Sequence, residues 1–258
     1  MQVELLAVTP DAEKVIEAAG RTAYQSFDRV TARPIVEARS GDRIETFRAD
    51  DHPSLPEVRI GDRFPLDNET WTALRVWPNS AAKFIAMIIR QGHLSVLEHA
   101  SATVRFQGGS RAFTHQLVRH RMAAFTQQSQ RYVGEERFQA VVPPSIEQCE
   151  PALVLFSETM EKIQDVYRRL KDMGIRNEDA RFVLPNSVTS EIVVTTNLRE
   201  WRHIVEERGK PNAQWEIRSA AVQLVKIFEK RIPSVFFDFE VDDVKGIVRK
   251  PSEKVERR

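Results

Sequence analysis

The stretch SATVRFQGGSRAFTHQLVRHR, residues 101–121, decides how the rest of the chain is read. SATVRFQ reads as a strand, Gly108-Gly109 interrupts it, and Ser110 stands where it can cap a helix with Phe113 and Leu117 on one face. That helix runs into Arg119-His120-Arg121. Upstream, QVELLAV (2–8) reads as a first strand. Pro10 and Asp11 then open an amphipathic helix carrying Val15, Ile16, Ala19 and Ala23. Pro78-Asn79-Ser80 caps the apolar helix AAKFIAMIIRQG, which ends at Gly92. Downstream, Leu153, Phe156, Met160, Ile163, Tyr167 and Leu170 recur at helical spacing between Pro151 and Met173. NEDARFVLP is a short helix stopped by Pro185, and SEIVVTTN is a β-branched strand. A helix from Leu198 to Arg208 ends at Gly209, and NAQWEIRSAAVQLVKIFEK makes the last long helix.

Strands and helices mix without a regular βα alternation. This predicts an α+β fold with a single mixed or antiparallel sheet and packed long helices, and argues against a doubly wound fold. The whole chain, 1–258, reads as one catalytic domain with a polar insertion at about 28–78. The Gly41-Asp42 and Gly61-Asp62 turn signals and the alternation in RIETFRA predict a small hairpin there, without a core of its own.

The 258 residues suffice for a substantial core, and 41% apolar with 29% charged residues marks an ordinary globular protein. A net charge of +1 gives no general attraction to nucleic acid or membrane, so any anion site must be local. The single cysteine, Cys149, excludes an intrachain disulfide. The N-terminus lacks a basic segment leading into an apolar one, and no apolar run approaches the ~20 residues of a membrane helix. A cytoplasmic location is the expectation. No strand-linked G-x-G-x-x-G, P-loop, CxxC or HxxxH occurs, so dinucleotide fingerprints are absent and no metal is expected.

LVRHRMAAFTQQSQRYV, residues 117–133, concentrates guanidinium groups beside amides and hydroxyls. Arginine offers a planar, permanently charged fork of donors suited to phosphate and carbonyl groups. On a helix, Arg119 and Arg121 point roughly 200° apart and so reach different ligands or different parts of one. No base and orienting partner neighbour Ser129, which reads as a polar contact rather than a nucleophile. By itself the stretch also reads as a solvated helix end, or as the basic cleft of a nucleotide- or RNA-binding module without flavin.

RHRMAAFTQQS, that is Arg-His-Arg, seven residues and Ser, resembles the signature of the flavin-dependent thymidylate synthases. The resemblance extends through EAAGRTAYQS (17–26), QGHLSVLEHA (91–100), ARFVLP (180–185) and TTNLREWRHIVEERGKPNAQWEIR (195–218). It implies the fold of that family and a homotetramer with active sites shared between subunits. It implies conversion of dUMP to dTMP, with methylenetetrahydrofolate as carbon donor and NADPH reducing a bound FAD. By motif position, Gln116, Arg119, Gln127, Ser129, Gln130, Arg131, Arg181 and Arg208 would bind dUMP. His93, Ser95, Arg119, His120, Arg121, Gln127, Asn197, Arg199 and His203 would bind the flavin. Arg208 would be the catalytic residue that polarises the uracil ring. Gln127 stands where the family often has Glu, His203 where Asn is common, and KPNAQWE lacks a histidine often found before Ala-Gln-Trp-Glu. Cys149, in IEQCEP, sits between acidic neighbours in a poor setting for a nucleophilic thiolate.

Overall fold

The computed structural model describes residues 1–48, 55–66 and 68–250. In chain order the elements are β1 (Gln2–Val8), α1 (Ala12–Tyr24), β2 (Ile35–Ser40), β3 (Arg43–Arg48), β4 (Arg63–Leu66), β5 (Glu69–Trp77), α2 (Ser80–Arg90), β6 (Ser101–Ser110) and α3 (Arg111–Leu117). There follow β7 (Ala123–Gln127), α4 (Pro144–Glu147), α5 (Glu150–Asp172), α6 (Asn177–Ala180), β8 (Thr189–Asn197), α7 (Leu198–Arg208), α8 (Trp215–Arg231), α9 (Pro233–Phe236), β9 (Glu240–Asp242) and β10 (Ile247–Arg249).

The central sheet is antiparallel, in the order β1-β6-β8-β7. Alternation along β6 and β8 brings Ala102 opposite Thr196, Val104 opposite Val194 and Phe106 opposite Ile192. These side chains face the same interior, one buried face per strand, as a period of two requires. Against that face pack Ile16 of α1, Ile85 and Ile88 of α2, Trp201 and Ile204 of α7, and Leu224 and Phe228 of α8. Gly20 permits the close approach of α1 to α2, since a Cβ there would lie 2.4 Å from the Phe84 ring.

The corner between β6 and α3 follows from its sequence. Gly108 has φ +72, and a Cβ on Gly109 would lie 2.7 Å from Phe113. Ser110 Oγ accepts from Phe113 N and donates to Glu216 Oε2 at 2.5 Å, while Ser110 N donates to Glu216 Oε1 at 2.7 Å. The buried Glu216 thus ties the start of α8 to the corner that launches the arginine-rich stretch.

Two expectations about this region change. The helix ends at Leu117 instead of running through the Arg-His-Arg triad, and residues 118–122 turn the chain into an unexpected strand, β7. Its short AAFTQ carries little periodic signal, and its partner β8 supplies the ladder that makes it a strand.

The single sheet of the sequence reading is also corrected: the described residues form three. The strands β2 to β5 form a second antiparallel sheet, in the order β3-β2-β5-β4, rather than one hairpin. Val36, Ala38, Phe64, Leu66, Trp71 and Ala73, with Leu55 and Val58, make an apolar cluster separate from the main one. Residues 49–54 and 67 of the expected insertion lie outside the described residues. A third, two-stranded sheet, β9-β10, packs on α7 and α8.

The long helix α5 forms as its periodicity predicts, but Tyr167 is its one buried residue; Leu153, Phe156, Met160, Ile163 and Leu170 are half-buried. It rests on α4, α6 and the loop before α4. The Tyr167 hydroxyl accepts from Glu135 N, and Gln164 Nε2 donates to the Phe138 carbonyl.

Candidate functional site

The residues expected to act together fall into three groups, two of which lean on α3. The first surrounds the end of α7. Arg208, in its last turn, donates from Nε to Nε2 of His120 at 2.9 Å and from Nη2 to the Gln116 carbonyl at 3.4 Å. A guanidinium only donates, so this contact fixes the tautomer of a neutral His120: Nε2 accepts and the proton sits on Nδ1. Nδ1 in turn lies 3.3 Å from Oε1 of Glu200, in the first turn of α7. Burial, helped by the charges of Arg208 and His203 and opposed by Glu207, pushes the His120 imidazolium down to about 4. His120 is therefore neutral at physiological pH, and Arg208 keeps its remaining donors for a ligand. Burial lifts the Glu200 carboxyl above its ordinary value, with His203 and Arg199 opposing.

Arg208 is held from behind as well. A Cβ on Gly209 would lie 2.4 Å from Val248 Cβ, and Val248 N donates to the Gly209 carbonyl at 2.9 Å. The β9-β10 hairpin thus clamps the end of α7.

His120, Glu200 and His203 bring ligand atoms within 4.8 Å of one another, a metal-like set among the described residues. The proton placement works against it. The lone pair on Nε2 is taken by Arg208, and Nδ1 carries a hydrogen.

The second group lines a cavity of about 460 Å³ between α7 and the turn Leu94–His99, with Leu94, Met122, Asn197, Arg199, Glu200 and His203 in its walls. Asn197 caps α7 by accepting from Glu200 N at 2.9 Å, leaving its amide N–H groups free to face a ligand. Arg199 pairs with Glu98 of the turn at 2.6 Å. Ser95 is exposed in the same turn, and His93 Nδ1 lies 3.3 Å from the Tyr24 hydroxyl.

The third group gathers at β7 and the loop after it. Gln127 Nε2 donates to Thr114 Oγ1 at 3.0 Å and Ser190 Oγ at 3.1 Å, both buried hydroxyls. Gln130 is buried, and Gln128 Nε2 donates to Oε1 of Glu135 at 3.4 Å, a carboxyl whose pKa burial lifts and Arg111 lowers. Ser129 forms the turn, its Oγ accepting from Arg131 N at 3.3 Å. Arg131 meets the Glu178 carboxylate at 3.0 Å, Arg176 meets it at 2.9 Å, and Arg181 Nε donates to the Glu178 carbonyl at 3.1 Å. Arg131 and Arg181, fifty positions apart in sequence, thus share one residue. Arg111 joins them: burial lowers its pKa, and the Arg181 charge acts in the same direction.

Arg119 and Arg121 are exposed, and neither guanidinium bonds to another described residue. Met122, Tyr132 and Phe182 are also left open, at 72%, 81% and 82% exposure, so large apolar groups as well as cationic ones face outward.

Glu200, Arg111, Glu178 and Tyr24 were missed by the sequence reading. The i, i+3 spacing of Glu200 and His203 on a helix was a signal for the first. Arg111 and Glu178 carried none, since their roles depend on partners distant in sequence. Cys149 is exposed at the cap of α5.

A family model described as "Thymidylate synthase complementing protein" matches residues 4–234. The chain is 46% identical over 157 residues to a protein of Geobacter sulfurreducens named "Flavin-dependent thymidylate synthase", covering 60% of this chain and 68% of that one. It is 47% identical over 161 residues to the protein of that name from Nitratidesulfovibrio vulgaris, covering 59% and 66%. With the one from Clostridium tetani the identity is 31% over 252 residues, covering 92% of this chain and 85% of the relative.

Proposed function

The chain belongs to the thymidylate synthase complementing protein family, and from that membership we propose that it acts as a flavin-dependent thymidylate synthase. It converts dUMP to dTMP, with methylenetetrahydrofolate as carbon donor, FAD as bound cofactor and NADPH as reductant. The observation that carries this reading is the hydrogen bond from Arg208 to His120, which joins the Arg-His-Arg motif to the C-terminal segment across 88 positions.

The donor set suits a flavin dinucleotide. Arg119 and Arg121 are exposed and without an ion-pair partner among the described residues, as a pyrophosphate partner should be. Asn197, Arg199 and His203 stand beside the apolar Leu94 and Met122 in one cavity, a combination that fits a flat heteroaromatic ring with polar edges. We assign the flavin to these residues with His93, Ser95, His120 and Gln127. The flavin supplies the hydride when bound; binding, orientation and field fall to the chain.

For dUMP, Arg131 and Arg181, with Arg111, offer the phosphate three guanidinium groups, and Glu178 yields its place to it. Gln116, Arg119, Gln127, Ser129 and Gln130 supply the remaining polar contacts. Adding a one-carbon unit at uracil C5 builds negative charge on the ring, which the Arg208 guanidinium stabilises without a proton transfer. Neutral His120 orients Arg208 and adds no competing cation. Gln127, as an amide, donates to two hydroxyls where an anionic carboxylate would only accept.

A homotetramer with sites shared between subunits accords with the outward-facing Arg119, Arg121, Tyr132 and Phe182 and with the half-covered face of α5. Among the described residues no helix is long and apolar enough to cross a membrane. A cytoplasmic location remains part of this proposal. The relatives above carry the name of an enzyme, which favours this reading over a flavin-free nucleotide- or RNA-binding module.

The test is dTMP formation and dUMP-dependent NADPH oxidation by the FAD-loaded protein. Arg208→Ala is expected to lower turnover by about 100-fold or more with flavin content retained. A wild-type protein that binds no flavin and makes no dTMP would sink the reading.

A further inference from the structure

A cavity of about 760 Å³ opens where the second sheet meets α1 and α2. Phe84 and Met87 of α2 and Ile35 of β2 give it apolar walls, and among the described residues Arg21, Arg29, Arg48 and Lys83 line it while no carboxylate does. Two of these cations are satisfied within the chain: Arg21 pairs with Glu17 at 2.7 Å, and Arg48 reaches the Asp28 carbonyl at 3.5 Å. The other two are not. The Arg29 side chain bonds to no described residue, and Lys83 Nζ donates to Thr46 Oγ1 at 2.8 Å with no carboxylate of the described residues in ion-pair range. Burial pushes the Lys83 ammonium below its ordinary pKa, and the field of Glu37 only partly opposes this. A half-buried ammonium whose one hydrogen-bond partner among the described residues is a hydroxyl is a costly arrangement that an anion relieves. The cavity also borders the redox side of the site: Tyr24 lines it, and the Tyr24 hydroxyl lies 3.3 Å from His93 Nδ1.

We propose that this cavity, walled on one side by the second sheet, receives the anionic end of a co-substrate that must reach the flavin. The occupant is a ring-bearing molecule whose phosphate or carboxylate groups rest on Lys83 and Arg29. Under the functional reading above, on which this inference rests, two molecules share that chemistry: NADPH through its phosphates and methylenetetrahydrofolate through its carboxylates.

The experiment uses the FAD-loaded full chain and measures dissociation constants for NADP⁺, tetrahydrofolate and inorganic pyrophosphate by titration calorimetry. Wild type is compared with Lys83→Glu and with Arg29→Glu, the latter an exposed position where the fold should be insensitive. One of NADP⁺ and tetrahydrofolate is expected to weaken by about tenfold or more in both variants while the other holds, which names the source. Pyrophosphate should compete with that ligand in the wild type. Unchanged constants for both ligands in Arg29→Glu, with a native circular dichroism spectrum, overturn the proposal. So does loss of FAD with both co-substrate constants intact. If the wild type makes no dTMP, the functional reading fails separately, because the binding titrations do not depend on turnover.

Discussion

The protein holds two four-stranded antiparallel sheets of similar local grammar and different standing. In both, alternation turns one face inward, and both have their own apolar cluster. The central sheet is covered by long helices, among them α1, α2, α7 and α8, and the residues of the candidate site lie on its strand ends, its connecting turns and the helices α3 and α7. The second sheet closes over a smaller cluster, and the indole Nε1 atoms of Trp71 and Trp77 on β5 are buried without a hydrogen-bond partner among the described residues. A buried donor without an acceptor costs on the order of 1–3 kcal/mol. The contrast teaches that the same period-two pattern yields a deep core where long helices are available to cover it, and a thinner, less satisfied one where they are not.

If the two clusters are independent, damage to one should stay local. Trp71→Ala empties the centre of the smaller cluster and is expected to cost about 3–5 kcal/mol there. Amide exchange should lose protection in β2 to β5 while β6 and β8 keep theirs; equal loss in both sheets would merge the two into one cooperative unit.

The central sheet should also be the one that senses acid. His120 has a pKa of about 4 when folded against an ordinary 6.5, so between those values the unfolded chain takes a proton that the folded chain refuses. Its contribution is complete above pH 6.5 and is lost as the pH falls toward 4, a swing on the order of 3 kcal/mol. Glu135 and Glu200, lifted by burial, act in the opposite sense. Comparing denaturant midpoints of wild type and His120→Gln across this range isolates the histidine, and the variant should show the flatter profile.

Gly209→Ala is expected to cost about 1–3 kcal/mol, because the new methyl meets Val248. It should lower dTMP turnover beyond the stability loss by shifting Arg208, and kinetics under conditions where the variant is fully folded can check this. The smallest effect is expected for Trp77→Phe, which keeps a ring and removes an unsatisfied N–H: a change within about 1 kcal/mol of neutral, read as the thermal midpoint.

Much of this was legible in the chain. The spacing of apolar residues placed α1, α2, α5, α7 and α8, the β-branched run placed β8, and Gly108-Gly109-Ser110 announced the β6-α3 corner, because each depends on neighbours a few positions away. The Arg-His-Arg signature and the four further motif segments supplied the candidate site residues for the same reason. Local pattern was silent where partners are distant. β7 exists because β8 offers it a ladder, and the second sheet because four modest strands find one another. Glu200 became part of the site because His120 comes to rest beside it. The sequence by itself determined the helices, the principal strands and the chemical types available for binding an anion. Tertiary structure alone decided that Arg208 would donate to a neutral His120, that Arg131 and Arg181 would meet at Glu178, and that two cations would be left facing an open cavity. Those outcomes depend on desolvation and on contacts between remote segments, which no short-range periodicity encodes.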